Sequence, residues 1–218
     1  AEGLRYCFGR QPAIARWNLQ RLAEALATVI PDQAIFSEGL TAFDETFALE
    51  MGNMLAAKLG WQQWQPEDSE LVNRLFDLLQ QLEVDMTLFF RLLAHIDVSA
   101  PDLSLLAEAF YRDDLWRQYQ PACSQWLNDY CARVLAEGEL PVDRVTRMEQ
   151  VNPLYVLRNY LAQQVIDAAE QGDYQPIAEL LAVLRHPYTE QPGKAAYAQK
   201  RPDWARHKPG CSMLSCSS

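Results

Sequence analysis

Cysteines, histidines and clustered carboxylates are the residues of this sequence that could do chemistry, and their spacing matches no common metal site. The five cysteines form no Cys-x-x-Cys pair, and no histidine stands at zinc-finger spacing from any of them. There is no His-Glu-x-x-His motif, and none of the three histidines follows a glutamate at the spacing of di-iron helix bundles. The sequence therefore predicts neither a structural zinc site nor a metal-binding bundle.

The acidic clusters favour helix surfaces and helix starts over acid–base catalysis. Residues 44–45, 67–70 and 113–114 fall where carboxylates are solvated or stabilise a first helical turn. His95 ends an apolar stripe, which favours a hydrogen-bonded histidine at the edge of the core over a ligand. The sequence contains no glycine-rich phosphate loop and no nucleophile turn. The residues alone thus predict no active site.

The position of the cysteines divides four of them into two pairs. Cys123 and Cys131 lie in a helical pattern, which predicts small buried core residues. Cys211 and Cys216 lie close to the end of the sequence, where a thiol is accessible. The terminal thiols are either incidental or suited to thiol exchange.

Apolar residues at intervals of three and four predict an all-α fold of about eight or nine helices, without a strand of useful length. Gly60 and Gly172 are expected to end helices, and Pro121 is expected to kink or divide one. Asn152-Pro153 is typical of a helix start, and we expect that helix to run to about Gln171. The predicted helices cover residues 11–29, 36–59, 68–93, 99–110, 113–134, 153–171 and 173–184. The third range is either one helix or two that are divided between Leu82 and Met86, and the fourth begins at a capping box, Ser99-Ala-Pro-Asp102.

Charge and composition change near residue 185, which predicts a helical region over residues 1–185 and an irregular tail over residues 186–218. The first region carries 14 basic and 27 acidic residues, whereas the tail carries 5 and 2 and is rich in proline and serine. We therefore expect the basic tail to lie across an acidic helical body.

The composition also narrows the class of partner. A net charge of −10 argues against nucleic-acid binding, which depends on a basic face. No apolar run approaches the roughly 20 residues that span a bilayer, and no signal-peptide pattern is present, so we expect a cytoplasmic protein without a membrane partner. The start at Ala1, inside what reads as a packed unit, favours a piece of a longer protein.

Three segments carry more information than helical periodicity requires. The first runs over residues 5–26 and contains Trp17-Asn18, and the second runs over residues 152–173 and contains Arg158-Asn159 and Gln163. These polar residues interrupt apolar faces, which indicates buried polar contacts. The third is Arg201-Pro-Asp-Trp-Ala205 with the terminal Ser215-Cys-Ser-Ser218.

In this order, the three segments closely resemble the C-terminal half of the SelO family, also called YdiU, of kinase-fold protein adenylyltransferases. The first is similar to the family motif R-Y-x-[YF]-x-x-Q-P-x-[IV]-x-x-W-N-L-x-R-L-A. The second is similar to N-P-x-x-V-L-R-N-x-L-A-Q, and the third to a P-D-W segment with a terminal Cys-Ser-Ser. Residues 54–60 and 87–93 also fit, so the likeness spans the chain, thinly over residues 97–150.

The resemblance implies the helical C-lobe portion of a kinase-like fold in an enzyme that moves AMP from ATP onto protein Ser, Thr or Tyr hydroxyls with Mg²⁺ or Mn²⁺. The family's nucleotide and metal ligands precede the Arg5-Tyr6 motif. The resemblance therefore implies no catalytic, cofactor-binding or metal residue in this chain, and Lys58 is not assigned a phosphate-binding role. We expect the segment to bind neither ATP nor the metal ion and to be inactive alone. Its expected partners are the missing N-terminal catalytic lobe, docked on exposed apolar patches, and protein substrates.

The resemblance also implies a redox role for Cys216, which matches the selenocysteine or cysteine near the C-terminus of the family. In the family this residue can form a disulfide with a cysteine that lies upstream of this chain. Two departures stand out: Cys7 occupies a position where the family commonly has serine or another small residue, and Cys211 adds a competing thiol. The alternative reading is a stand-alone helical interaction module without catalysis, which would have a sealed core.

Overall fold

A computed structural model describes residues 8–138 and 141–208, and over these residues the all-α prediction is confirmed. Short 3₁₀ turns supplement the α-helices, and the only strand-like pairing in the described residues is an isolated bridge between Val84 and Phe110. The α-helices are α1 Gln11–Leu26, α2 Ala34–Leu59, α3 Asp68–Leu82, α4 Met86–Ala94, α5 Asp113–Leu135, α6 Pro141–Val151, α7 Asn159–Ala169 and α8 Gln175–Leu184.

The described chain divides into two compact units with a boundary inside α2. The smaller unit comprises residues 8–54, and the larger comprises residues 55–208. The separate prediction of a body over residues 1–185 and a tail over residues 186–218 stays a prediction.

The larger unit has a continuous hydrophobic core among α3, α4 and α5. Leu93 and Leu127 are almost completely buried in it. The Trp126 ring stacks on Tyr130 with centroids 5.3 Å apart, and its Nε1 donates a hydrogen bond to the carbonyl of Leu71 at 2.9 Å. Because the indole nitrogen is satisfied inside the core, this large side chain is held in one orientation.

A second, smaller cluster packs the described tail against α7 and α8. Tyr160 and Leu161 of α7 and Leu180 of α8 are buried here together with Ala205 of the tail. The Tyr160 hydroxyl donates to the carbonyl of Gln199 at 3.1 Å. The tail is thus attached to the larger unit by a small apolar contact as well as by polar groups.

Gly60 ends α2 as predicted, and only glycine fits its position. Its φ of +76° lies in the left-handed region, where a β-carbon is unfavourable. A β-carbon at this position would lie 2.6 Å from Sδ of Met148 and 2.8 Å from Cγ of Arg144. The conformation and the close packing of α6 therefore require the same residue type.

Pro121 was predicted to kink or divide a helix; division is wrong, because α5 runs without interruption from Asp113 to Leu135, and the kink stays a prediction. Pro121 faces solvent. The carbonyl one turn earlier, which loses its partner to proline, can therefore bond to water instead of remaining buried and unsatisfied. The short helix expected from the capping box at Ser99 to Phe110 forms as a 3₁₀ helix, Leu103–Ala109, and its capping residue is Asp102 instead of Ser99.

The prediction of a helix start at Asn152-Pro153 is also wrong. Helix α6, which the sequence reading missed, ends at Val151, and the next helix begins only at Asn159. The amides of Leu154 and Tyr155 both donate to the carbonyl of Pro187, at 2.7 and 3.0 Å. Tertiary hydrogen bonds thus replace the expected first helical turn.

Candidate functional site

The smaller unit presents an apolar surface formed by α1 and α2. No side chain of α1 is buried, and 54% of Leu22 and 74% of Val29 are exposed. The two helices are joined by an ion pair between Arg16 Nε and Asp44 Oδ1 at 2.8 Å. A groove of about 200 Å³ between them is lined by Leu19, Leu22, Ala23, Leu26, Ile35, Phe36, Gly39 and Leu40. A contiguous apolar surface of this kind is typical of a docking site.

Trp17 and Asn18 of the first motif lie at this surface and do not belong to a buried polar network. Trp17 is 44% exposed and Asn18 faces solvent, so the prediction of buried polar contacts at this pair is wrong. The Arg21 guanidinium lies 5.7 Å from the centre of the Trp17 ring. The spacing of the apolar residues therefore predicted the helix correctly, but it did not predict that this face of the helix is exposed.

Asn152 of the second motif connects the end of α2 to the segment after α6. Its Oδ1 accepts from Lys58 Nζ and its Nδ2 donates to the Lys58 carbonyl, both at 2.9 Å. Asn152 is 1% exposed. Burial lowers the pKa of the Lys58 amine, which also lies 5.1 Å from the centre of the Phe90 ring. The Lys58 amine is thus engaged by groups inside the unit.

Arg91 extends this network from α4. Its Nη1 donates to the carbonyls of Glu149 and Asn152 at 3.3 Å each, and its Nη2 donates to Glu149 Oε1 at 2.9 Å. The same carboxylate oxygen lies 3.1 Å from His95 Nε2. His95 is therefore a hydrogen-bonded histidine at the edge of the core, as the sequence predicted.

Arg158 of the second motif meets a buried carboxylate at the start of α4. It pairs through both terminal nitrogens with Asp85, which is 4% exposed. Asp85 also accepts from the Leu88 amide at 3.0 Å and from the Tyr111 hydroxyl at 3.0 Å. Burial is the main reason that the pKa of Tyr111 is raised. The buried polar contact predicted at Arg158 is confirmed.

Arg144 is a buried cation that sequence reasoning missed. It is 2% exposed, and its terminal nitrogens donate to the Tyr130 hydroxyl at 3.0 Å and to the carbonyls of Ala94 and Ile96 at 3.0 and 2.8 Å. The sequence signal that could have identified Arg144 is its spacing of one helical turn from Met148. Both residues lie in the segment over residues 141–151, for which no helix was predicted. Neutral oxygens of α4, of the loop that follows it and of α5 meet at this guanidinium, so it organises the core.

The predicted position of the basic tail across the acidic body is confirmed for the described part of the tail. Arg206 Nη2 lies 2.7 and 2.8 Å from the two carboxylate oxygens of Glu83. Lys208 Nζ lies 2.5 Å from Asp167, and this hydrogen bond lowers the pKa of the Asp167 carboxyl. Opposite charges thus face one another along the tail.

The acidic clusters form ion pairs and caps. Asp68 is 3% exposed, accepts from the Gln65 amide at 2.8 Å and pairs with Arg133 at 2.7 Å. The hydrogen bond from Arg112 lowers the pKa of Asp114 to about 2. Within residues 8–138 and 141–208, no group of three or more His, Cys, Asp or Glu side chains could hold a metal ion.

The two central cysteines are buried core residues, as predicted. Burial raises the pKa of both the Cys123 and the Cys131 thiol to about 11, so both are protonated at neutral pH and unreactive. Cys7, Cys211 and Cys216 lie outside the described residues, so the redox prediction for Cys216 stays a prediction. In the described residues, no helix has the length and apolar character needed to cross a bilayer.

Comparison with known proteins relates this architecture to one family. A family profile described as "Protein adenylyltransferase SelO" matches residues 2–185. Proteins named "Protein nucleotidyltransferase YdiU" match all 218 residues, with 80% identity in Tolumonas auensis and 55% in Methylobacillus flagellatus. A third, from Aromatoleum aromaticum, is 50% identical. The chain spans 42% of the length of each of these relatives.

Proposed function

Because the chain belongs to the SelO family of protein adenylyltransferases, we propose that it forms the C-terminal part of an enzyme that transfers AMP from ATP to Ser, Thr or Tyr hydroxyls of proteins. The observation that carries the proposal is the 80% identity to a protein nucleotidyltransferase over the whole chain. The finer reaction, AMP as the transferred group and protein hydroxyls as acceptors, comes from the resemblance of the three motifs.

ATP and Mg²⁺ or Mn²⁺ are bound, in this proposal, by the part of the enzyme that the chain does not cover. Nucleotidyl transfer needs cations and metal ligands directed at the phosphates. The buried cations of the larger unit are instead engaged by the protein itself, Arg91 by Glu149, Arg158 by Asp85 and Arg144 by backbone carbonyls. These contacts support a structural role for the described segment, in the C-lobe of a kinase-like fold, and inactivity of the chain alone.

The apolar surface of α1 and α2 is, we propose, where the missing catalytic lobe docks. More than half of the relatives' length has no counterpart in this chain, so the missing part is large enough to cover this surface. Nine large apolar side chains are exposed within the 47 residues of the smaller unit, whereas the larger unit exposes 13 over about three times that length and has its own core. Covering them would remove Leu22 and Val29 from water.

Cys216 is proposed to act as a redox thiol, and the protein to be cytoplasmic. Cys123 and Cys131 are free thiols buried in the core, which suits a reducing compartment. Thiol oxidation would then take place at a cysteine outside that core.

The experiment compares the full-length gene product with the 218-residue chain in transfer of α-phosphate-labelled ATP to protein. We expect labelling that needs Mg²⁺ or Mn²⁺ with the former and none with the latter. In the full-length protein, Leu22→Lys should reduce labelling at least tenfold, because it places a charge in the docked surface. Leu135→Lys is the matched control, since Leu135 of α5 is also 54% exposed.

Equal labelling by the two variants would contradict the docking surface. Absence of labelling by the full-length protein with every protein acceptor and nucleotide tested would contradict the proposed reaction. Normal folding of the 218-residue chain without any association would then favour the stand-alone interaction module.

A further inference from the structure

Helix α8 is apolar on its outer side as well as on its inner side. Of its ten residues, only Gln175 and Glu179 carry polar side chains. Leu180 and Val183 are buried and define the inner side. A helix at a protein surface ordinarily has a polar outer side, whereas a helix that is apolar all round is ordinarily covered on every side. The composition of α8 therefore indicates a partner for its outer side.

Three large apolar side chains project from the outer side of α8. They belong to Tyr174, which is the N-cap residue, and to Ile177 and Leu181, and they are 65%, 44% and 48% exposed. Because their spacing is three and four residues, they lie on the same side of the helix. Exposed alanines at positions 178 and 182 lie beside them. We name Tyr174, Ile177 and Leu181 the α8 face, and an exposed apolar surface of this kind marks a protein contact.

The inner side already holds α8 in place. Leu180 packs with Tyr160 and Leu161 of α7 in the smaller hydrophobic cluster. The Gln191 side chain donates a hydrogen bond to the carbonyl of Val183 at 2.9 Å. The helix is thus fixed to the larger unit without any cover on the α8 face, so this face is open to a partner that binds and leaves.

The charge around the α8 face defines the chemistry of that partner. Residues 159–184 contain four acidic residues and no lysine, arginine or histidine. One of the four, Asp167, is paired with a lysine of the tail. Glu170 and Asp173 are exposed in the turn before α8, and neither forms an ion pair within residues 8–138 and 141–208. The next basic residue, Arg185, follows the opposite end of the helix. One end of the α8 face is therefore acidic and unpaired.

We propose that the α8 face binds the protein acceptors of the transfer reaction, through a segment whose apolar side chains are followed at one end by lysine or arginine residues. The inference rests on the proposed function. The apolar side chains of the acceptor cover Tyr174, Ile177 and Leu181, and its basic residues pair with Glu170 and Asp173. Opposite charges at the rim of an apolar contact select the partner and fix its direction along the helix.

The size of the α8 face favours a reversible contact with an acceptor over a second copy of the chain. Stable interfaces between proteins bury about 1,200–2,000 Å² in total, and smaller contacts are typical of transient complexes. Three partly exposed side chains on one short helix supply only a fraction of that area. A weak contact suits an acceptor, because a modified protein must be released before the next one binds.

The test uses the full-length gene product and two synthetic peptides of equal length. Both peptides carry leucines at intervals of three and four residues and one serine as the acceptor hydroxyl. One ends in a block of lysines, and the other ends in a block of glutamates. Binding is measured by fluorescence anisotropy of the dye-labelled peptides, and transfer is measured with α-phosphate-labelled ATP. We expect the lysine peptide to bind about tenfold more tightly, with an affinity that falls as salt is added.

Variants of the α8 face separate its apolar and charged contributions. Leu181→Ser should weaken binding of the lysine peptide about fivefold, because roughly half of a leucine side chain loses its cover. Glu170→Gln combined with Asp173→Asn should weaken it roughly two- to fivefold and leave the glutamate peptide no weaker. Asparagine still accepts from the Gln175 amide, so the start of α8 is kept. In transfer, KM for the lysine peptide should rise by similar factors while kcat is unchanged.

Leu105→Ser is the matched control, because Leu105 is 49% exposed in the 3₁₀ helix that packs on α4 and α5. It should change neither binding nor transfer. Equal binding of the two peptides, or unchanged binding in Leu181→Ser, would overturn the acceptor site. A parent dimer that Leu181→Ser dissociates would overturn it in favour of a second copy.

The same measurements distinguish failure of the acceptor site from failure of the proposed function. If the parent protein labels no protein or peptide acceptor, the proposed reaction is wrong, and the acceptor role falls with it even where the lysine peptide binds. If the parent protein labels acceptors and the α8 variants label them with unchanged KM, the reaction stands and only the acceptor site is wrong.

Discussion

Both units of this chain are rich in apolar residues, but the larger unit packs many of them into a core, whereas the smaller unit leaves those of α1 unburied. In the larger unit, Leu93 of α4 is completely buried and Trp126 stacks inside the core. In the smaller unit, α1 buries no side chain, and Leu22 and Val29 face outward. Hydrophobic burial is the main favourable contribution to folding, so the larger unit has a source of stability that α1 lacks in this chain. The proposed docking of the missing catalytic lobe on α1 and α2 would supply that burial.

The largest expected difference in stability between the two units comes from truncating one leucine in each. Leu93→Ala should lower the free energy of unfolding by about 2–5 kcal/mol, because it leaves a cavity in a closed core. Leu22→Ala should change it by less than about 0.5 kcal/mol in the 218-residue chain, since the side chain is already half exposed. Urea unfolding followed by tryptophan fluorescence measures both. Equal losses would mean that α1 is packed as tightly as α4.

A pair of glycine variants sharpens the picture of the larger core. Gly60→Ala should cost about 2–4 kcal/mol, because a left-handed backbone and contacts with Met148 and Arg144 oppose the new methyl group together. Gly138→Ala has a similar φ of +67° but open space around it, so only the backbone cost of about 1–2 kcal/mol is expected. Thermal and urea unfolding give the two values. Identical costs would show that α6 does not pack closely on Gly60.

The smallest effect concerns Lys58, a half-buried amine within the larger unit. Burial lowers its pKa in the folded state below the ordinary lysine value of 10.5, so the charged form destabilises the fold below that lowered pKa. This cost disappears as the pH rises from the folded pKa towards 10.5. The free energy of unfolding of the parent, minus that of Lys58→Met, should therefore increase between pH 8 and pH 10.5, by less than about 1 kcal/mol. A flat difference across this range would contradict the burial of the amine.

Local signals were sufficient for the helices whose ends are set locally. Gln11-Pro12 marks the start of α1, and Gly60 marks the end of α2, because proline fits the first turn and glycine adopts a positive φ. The same reasoning failed at Asn152-Pro153. There the side chain caps no helix, because it bonds to Lys58, 94 positions away in sequence. Hydrogen-bond partners so far apart in sequence cannot be predicted from local sequence patterns.

The polar centres of the larger unit were only partly predictable. Arg158 was recognised because it interrupts an apolar face, but no pattern in the sequence identified Asp85, the N-cap of α4, as its partner. Arg91 stands between Phe90 and Leu92 in an apolar run, which is a signal for a buried charge that the periodicity reading did not use. Asn152 and Arg158 of the second motif connect elements of the larger unit, and sequence alone cannot separate that role from catalysis.

Hydrogen exchange of α1 tests the central claim most directly. Amides of Gln11–Leu26 are measured in the 218-residue chain and in the full-length gene product, with those of Met86–Ala94 as the internal reference. We predict that protection of α1 rises at least tenfold in the full-length protein while protection of α4 changes little, because docking covers only the smaller unit. Equal protection of α1 in both proteins would contradict the account and leave a self-contained helical module.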